Sequence, residues 1–349
     1  MALMGLSVVA FLFIILVCVM VHEFGHYITA LWFGVKVHEF SFGMGPLLWQ
    51  RQGRKNKWSV RAIPVGGFVR LGGMGEENEG ETVLPGEGFQ EKAPWKKLII
   101  LAAGAFNNIL LVVVMATVML MSRGVLDLST SAVGELIPGF PAEIAGLRSG
   151  DVIESVDGIA VSDWRSMTQA IRSRAKQAEE LHLQVRRGSE KLSLTMGTKS
   201  QKPGEPPLIG IRPAVKKLSF FRAVAGSLNY TFQMSMAMLH GLKDMIVHPS
   251  AADVSGPVGI AAMAGEAARE GFFSLLSFLA IISLNLGIIN LLPFPALDGG
   301  HIVFAIGEMI TGRNVSAELE GKIHFIGFMF LAALIVLITW QDILRLFGR

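Results

Sequence analysis

His22, Glu23 and His26 stand in the stretch VHEFGHY, in the pattern H-E-x-x-H. On an α-helix, positions i and i+4 lie about 40° apart around the axis, so both imidazoles project from one face. Two imidazoles on one face suit a zinc ion, and Glu23 beside them is placed to take a proton from water activated there. A catalytic zinc needs a third protein ligand and a position left for water. The later stretch NLLPFPALDGGH, Asn290 to His301, offers two candidates. Asp298 is the better and His301 the runner-up. Pro293 and Pro295 break the preceding apolar helix, and irregular backbone at membrane depth is tolerated where it is buried in protein or lines a cavity. Taken alone, this segment also reads as a membrane-exit turn with Asp298 capping the next helix. His38, His182, His240, His248 and His324 read as ordinary polar residues.

The elements that must position these groups are apolar. The 349 residues are 51% hydrophobic and 17% charged, against about 25% charged in an ordinary soluble domain. An integral membrane protein with a soluble part fits that balance. The net charge of +3 is small, and no nucleic-acid-binding face is indicated. Cys18 is the one cysteine, so no disulfide within the chain and no cysteine-built zinc site are possible. Ionisable groups inside an apolar helix are costly and functional by default. That is the situation of His22, Glu23 and His26.

A membrane-crossing helix needs about 20 apolar residues. Four stretches qualify. Residues 1–34 read as a retained first helix carrying H-E-x-x-H, and 95–122 as a second. Residues 271–301 read as a third, ending in NLLPFPALDGG, and 302–349 as a cytoplasmic-side segment followed by a fourth. Between the first two, 35–94 is rich in glycine and alternating apolar residues, which suggests membrane-associated β-hairpins. Lys36, Arg51, Arg54, Lys57, Arg61 and Arg70 fall there. This density of basic charge in a short loop argues for the cytoplasmic side. The acidic Gly75–Gly88 reads as a loop. Residues 124–214 have the composition of a soluble domain, and 215–270 read as an interfacial amphipathic helix and linker. If that helix does not cross, the first and third helices run in the same direction. Both motifs then arrive on one side of the membrane.

GLRSGDVIESVDG resembles the signature of bacterial PDZ domains, modules that bind peptides by adding a strand to a sheet edge. A helix near Trp164–Ser173 and a strand near Val133–Ile137 would frame the groove. HEFGH and NLLPFPALDGG, with a PDZ-like domain between the second and third spans, resemble the site-2 protease family of intramembrane metalloproteases. The resemblance is to its bacterial RseP/RasP-type branch and covers essentially the whole chain. The fold it implies is a polytopic α-helical membrane protein with four transmembrane helices, membrane-associated β-hairpins and an extracytoplasmic α+β PDZ domain. It implies one Zn2+ held by His22, His26 and Asp298, with Glu23 as the base. Asn290 matches the family asparagine that holds the substrate strand. VGGFVRLGG matches its membrane-associated β-elements, so that Gly66, Gly67, Phe68 and Val69 would line the substrate path. AAGAFNN is similar to the second-span A-G-P-x-x-N pattern, with Ala105 in place of proline and Asn108 at the asparagine. SGPVGI, Ser255 to Ile260, also recurs in this branch.

These expectations describe an endopeptidase that cleaves transmembrane segments of single-pass membrane proteins within a lipid bilayer, in the bacterial cytoplasmic membrane. Anti-sigma factors and remnant signal peptides are its family-level substrates. The PDZ groove would take a peptide or substrate tail, or the domain would screen substrates sterically. Two rival classes make different demands. A membrane adaptor with a structural metal needs no Glu23, and a transporter releases no cleaved product.

Overall fold

The computed structural model describes residues 2–54, 56–74, 81–175, 180–200, 208–248 and 255–346. Positions 75–80 of the acidic loop therefore lie outside the described residues. The chain forms two compact units, Met1–Thr117 with Val224–Arg349, and Val118–Ala223.

The first unit begins with helix α1, Ala2–Trp32, followed by strands β1, Val37–Gln52, and β2, Lys57–Leu71, and then helix α2, Pro94–Arg123. The two strands are long, and both bend. Residues 37–42 pair with 67–71 on one side and 39–42 pair with 57–60 on the other, while 49–52 close on 57–60. One hairpin thus makes four segments side by side in the order 67–71, 37–42, 57–60, 49–52, with the outer pairings antiparallel and the middle one in parallel register, where the sequence suggested several hairpins. The bends fall at Gly43 and Gly66, with φ of +82° and +89°, a region that only glycine enters readily. Residues 67–71 end up at an edge.

The second unit carries strands β3, Val125–Leu126, and β4, Val133–Leu136, then the short helix α3, Pro141–Ile144. Strands β5, Val152–Val156, and β6, Ile159–Ala160, precede helix α4, Trp164–Arg174. Strands β7, Glu180–Arg187, β8, Glu190–Gly197, β9, Ile211–Pro213, and β10, Val215–Lys216, complete it. Four strands form one antiparallel sheet in the order β6-β5-β7-β8. Leu181, Leu183 and Val185 alternate inward from β7 and pack with Ile153, Met167 and Val133, the period of two expected of a half-buried strand. Asp163 caps α4 by accepting the Ser166 amide.

The first unit resumes with α5, Phe220–Val247, α6, Pro257–Glu270, and α7, Phe272–Asn290. It ends with α8, Asp298–Thr311, and α9, Ala317–Leu346. The expected linker thus holds a second helix, α6. Its N-terminus is bonded by buried Asp342 of α9, which accepts the Gly256 and Gly259 amides at 3.1 and 2.8 Å. A side chain on Gly256 would collide with that carboxylate, which accounts for SGPVGI as a docking element. Among the described residues four helices are long and apolar enough to cross a membrane: α1, α2, α7 and α9. Helix α5 matches them in length but not in apolarity. Ile14 and Cys18 of α1, Val112 and Met115 of α2, and Leu284 of α7 share one core. It fixes α1, which carries the two histidines, against α2 and α7.

Candidate metal centre

His22 and His26 share the inner face of α1, both buried, with their Nε2 atoms 3.1 Å apart. Asp298 is the first residue of α8 and brings Oδ2 to 2.9 Å from His22 Nε2 and 3.2 Å from His26 Nε2. Leu297 occupies the N-cap and no side chain caps α8, so the carboxylate is turned to the imidazoles instead. Ligands about 2.0–2.1 Å from a tetrahedral zinc stand roughly 3.3 Å from one another. The triangle of donors fits that ion with a slight expansion. Asp298 Oδ2 is buried with the two imidazole nitrogens directed at it, and among the described residues no well-aligned donor satisfies it, as suits an oxygen whose partner is a cation.

Helix α2 forms the floor. A methyl on Gly104 would lie 2.5 Å from His26 Nε2 and 2.7 Å from His22 Nε2. Gly25 of α1 faces the Ala103 carbonyl, which an added carbon would meet at 2.3 Å. The two glycines let α1 and α2 approach closely enough for α2 to reach the back of both rings. His26 Nδ1–H donates to the Ile100 carbonyl at 2.8 Å, which leaves Nε2 free toward Asp298. The buried Asn108 amide stands 3.4 Å from His22 Nδ1. On the same side of α1, Asn107 donates to the Val21 carbonyl. Spacing alone gave no sign of Ile100, because a backbone carbonyl leaves no mark on residue type.

Glu23, half-buried, accepts the Val69 amide at 2.9 Å through Oε2. The base candidate and the edge strand are thereby in contact. Strand 67–71 is itself pinned. Arg61 lies over the Phe68 ring at 5.1 Å, and Arg70 pairs with both Glu39 and Glu81. Burial pushes the Glu39 carboxyl up, but Ser59 and Arg61 hydrogen-bond its charged form and, with Arg70, hold it below the ordinary range. Gly67 is packed against Met20 and the Ser41 carbonyl, and Gly66 is buried at the bend. Asn290 ends α7. It is half-buried, and its side chain has no hydrogen-bond partner among the described residues.

His301 is directed away from the centre. Its Nδ1 is 2.7 Å from Glu320 Oε1, and its ring stacks on His324 at 3.6 Å with planes 12° apart. His324 Nδ1 accepts the Ala296 amide at 2.9 Å, in the irregular turn before Asp298 where Ala296 has φ +77°. His324 therefore ties α9 to the loop that presents Asp298.

In the second unit a groove runs between α4 and residues 208–211. Trp164, Thr168 and Ile171 line one wall, Leu208 and Ile211 the other, with Ile137 at the end. The expected wall, Val133–Ile137, contributes only Ile137. Leu136 is paired with Ile211, and Val133 turns into the core. Within PDZ-like GLRSGDVI, buried Asp151 is held by two 2.8 Å bonds from Arg187.

Two imidazoles on a helix of membrane-spanning length, Asp298 at the start of α8 and a carboxylate against a strand edge are the arrangement suited to a membrane-embedded metal hydrolase. Comparison with known proteins supplies the lineage. Residues 10–334 match peptidase family M50. A Clostridium acetobutylicum chain described as a "putative zinc metalloprotease" is 32% identical over 329 residues, 94% of each chain. The zinc metalloprotease RasP of Geobacillus kaustophilus is 28% identical over 418 residues, 98% of each. The PDZ domain of an SdrC-like protein from Listeria monocytogenes aligns with 24% of this chain and 85% of its own, at 20% identity and a TM-score of 0.22. The chain belongs to peptidase family M50, the site-2 proteases, and to their RasP-type branch. It is a multi-pass membrane metalloendopeptidase whose cofactor is Zn2+.

Proposed function

We propose that His22, His26 and Asp298 hold the zinc, that Glu23 is the base, and that the edge strand 65–71 receives the substrate. The observation that carries this reading is the bond between Glu23 and the Val69 amide. It puts the proton acceptor, the donor triad and an unpaired sheet edge in one place.

Bound zinc supplies a Lewis acid that lowers the pKa of water toward about 7 and polarises a carbonyl. Glu23 accepts the proton from that water and returns it to the leaving amine. The Val69 amide orients the carboxylate for both transfers. A transmembrane helix hides its carbonyls in i to i+4 bonds, so the substrate must be locally extended to be cut. Backbone groups freed in this way need partners inside the membrane. Strand addition at 65–71 supplies them, with Gly66, Gly67, Phe68 and Val69 along the path. Asn290, whose amide has no hydrogen-bond partner among the described residues, holds the same strand from α7.

Topology follows from charge and parity. The basic residues of the first loop favour the cytoplasmic side for it. With α5 lying in the interface, α1 and α7 run parallel and the site opens on the cytoplasmic side. The Val118–Ala223 unit is then extracytoplasmic, read as a PDZ domain in the bacterial cytoplasmic membrane. Its groove suits an extended peptide or substrate tail, so that single-pass proteins already trimmed outside are selected. Anti-sigma factors and remnant signal peptides have that form.

Cleavage of a model transmembrane substrate by the wild type and Glu23→Gln tests the reading. The variant is expected to keep zinc and lose cleavage. Undiminished cleavage would remove Glu23 from its role, and release of no product by the wild type would favour a transporter.

A further inference from the structure

Residues Ile100, Gly104 and Asn108 fall four apart on one face of α2, the face that backs the two imidazoles. Gly104 clears the space beneath the rings. Ile100 and Asn108 meet their far nitrogens, the Nδ1 atoms. At His26 the partner is a carbonyl, which can only accept, so Nδ1 carries the proton and Nε2 carries the lone pair. A neutral imidazole ligand needs the same arrangement at His22, with an acceptor for its Nδ1–H.

Among the described residues, Asn108 is the one side chain that hydrogen-bonds His22 Nδ1. It is fully buried, and its Nδ2 lies 3.4 Å from that atom, while its Oδ1 is buried without a partner. An amide that donates there fits the tautomer in which His22 Nε2–H points at Asp298. Turned by 180°, the same amide occupies the same volume and presents Oδ1 to Nδ1–H. The residue is held firmly for either duty. Ser283 of α7 donates to its backbone carbonyl at 3.0 Å, and a Cβ added to Gly287 of α7 would stand 3.3 Å from its own Cβ, so the two helices are closely packed there.

We propose that Asn108 is a positioning residue whose Oδ1 accepts from His22 Nδ1–H and so fixes the tautomer that ligates zinc. The inference rests on the ligand set proposed above. Its test compares two substitutions whose order a packing role would reverse. Asn108→Asp keeps the acceptor and adds a buried charge. Asn108→Leu keeps the volume and removes the acceptor. Zinc affinity of the full-length protein in detergent, measured by competition with a chromophoric chelator, is expected to fall 10- to 100-fold in Asn108→Leu and by less than 3-fold in Asn108→Asp, in line with the usual effect of removing an outer-shell partner. The kcat should follow zinc occupancy with KM unchanged. Wild-type affinity in Asn108→Leu, equal losses in both, or a greater loss in Asn108→Asp would overturn the proposal. If either variant fails to fold, Asn108→Ser and Asn108→Ala repeat the comparison, with serine expected to bind zinc more tightly than alanine and equality overturning the proposal. His22→Ala separates the two levels of the argument. Wild-type zinc affinity in that variant would overturn the ligand assignment itself, whatever Asn108 does.

Discussion

Two groups of two histidines and one carboxylate lie close together in the chain, His22, His26 and Asp298, and His301, Glu320 and His324. Their composition is the same, and their geometry is not. In the first, the rings stand at 79° to each other and both Nε2 atoms converge on one carboxylate oxygen. In the second, the rings are stacked nearly parallel, so their in-plane lone pairs cannot meet at one ion. His324 Nδ1 is already taken by the Ala296 amide, which leaves the ring's proton on Nε2. The geometry of one group suits a metal ion, and that of the other holds the loop that presents Asp298. Donor direction, set by what backs each ring, separates a metal centre from a clamp.

The comparison breaks most sharply at Glu23. Glu23→Gln should lower kcat by roughly 10²- to 10⁴-fold, the usual worth of a general base, with zinc content unchanged by atomic absorption. Loss of zinc would mean that the glutamate supports the site and not the chemistry. Gly104→Ala comes next, since its methyl would enter the space of both rings. Zinc affinity should drop at least about 10-fold, on the scale of outer-shell disruption, whereas His301→Ala should leave it near wild type by chelator competition. A third carboxylate, Asp151, sharpens the contrast because it holds an arginine. The Arg187 guanidinium keeps its carboxyl below the ordinary range. Its contribution is therefore complete above the unfolded value near 3.9 and is lost as pH falls through the lower native value. Asp151→Asn should cost about 2 kcal/mol, the scale of hydrogen bonds to a charged group, seen as faster amide exchange in Val118–Ala223 at neutral pH, with the difference shrinking as pH falls through the lowered native value. The smallest effect belongs to the clamp. His324→Ala removes one hydrogen bond to the Asp298 loop and should cost about 1 kcal/mol of stability, with a several-fold weaker zinc affinity. An unchanged affinity would show that the loop holds its shape without α9.

Much of the centre was legible because its parts are side chains at telling intervals. H-E-x-x-H needs only helical periodicity, and Asp298 stands out after two prolines in an apolar run. The support was not legible. Ile100 acts through its carbonyl, Gly104 through the absence of a side chain, and His324 through a fold-dependent bond to Ala296. Asn108 was visible as a polar residue in an apolar helix, but its partner was not. The hairpin was legible as glycine-rich strands, yet the double pairing of 39–42 depends on bends at Gly43 and Gly66 that pattern alone does not place. Helix α6 escaped notice because small residues such as Ala264 and Gly265 give it no apolar stripe. It is held instead by close approach to Ser7 and by Asp342. The groove wall at 208–211 was missed for a related reason: β9 returns from the far end of the second unit to pair with β4.

The most direct test of the central claim is zinc-edge X-ray absorption on the purified full-length protein, with metal counted per chain. The account predicts one zinc with two imidazole nitrogens and carboxylate oxygen at about 2.0–2.1 Å, lost in His22→Ala and kept in His301→Ala. Zinc that survives His22→Ala but disappears with His301→Ala would contradict it.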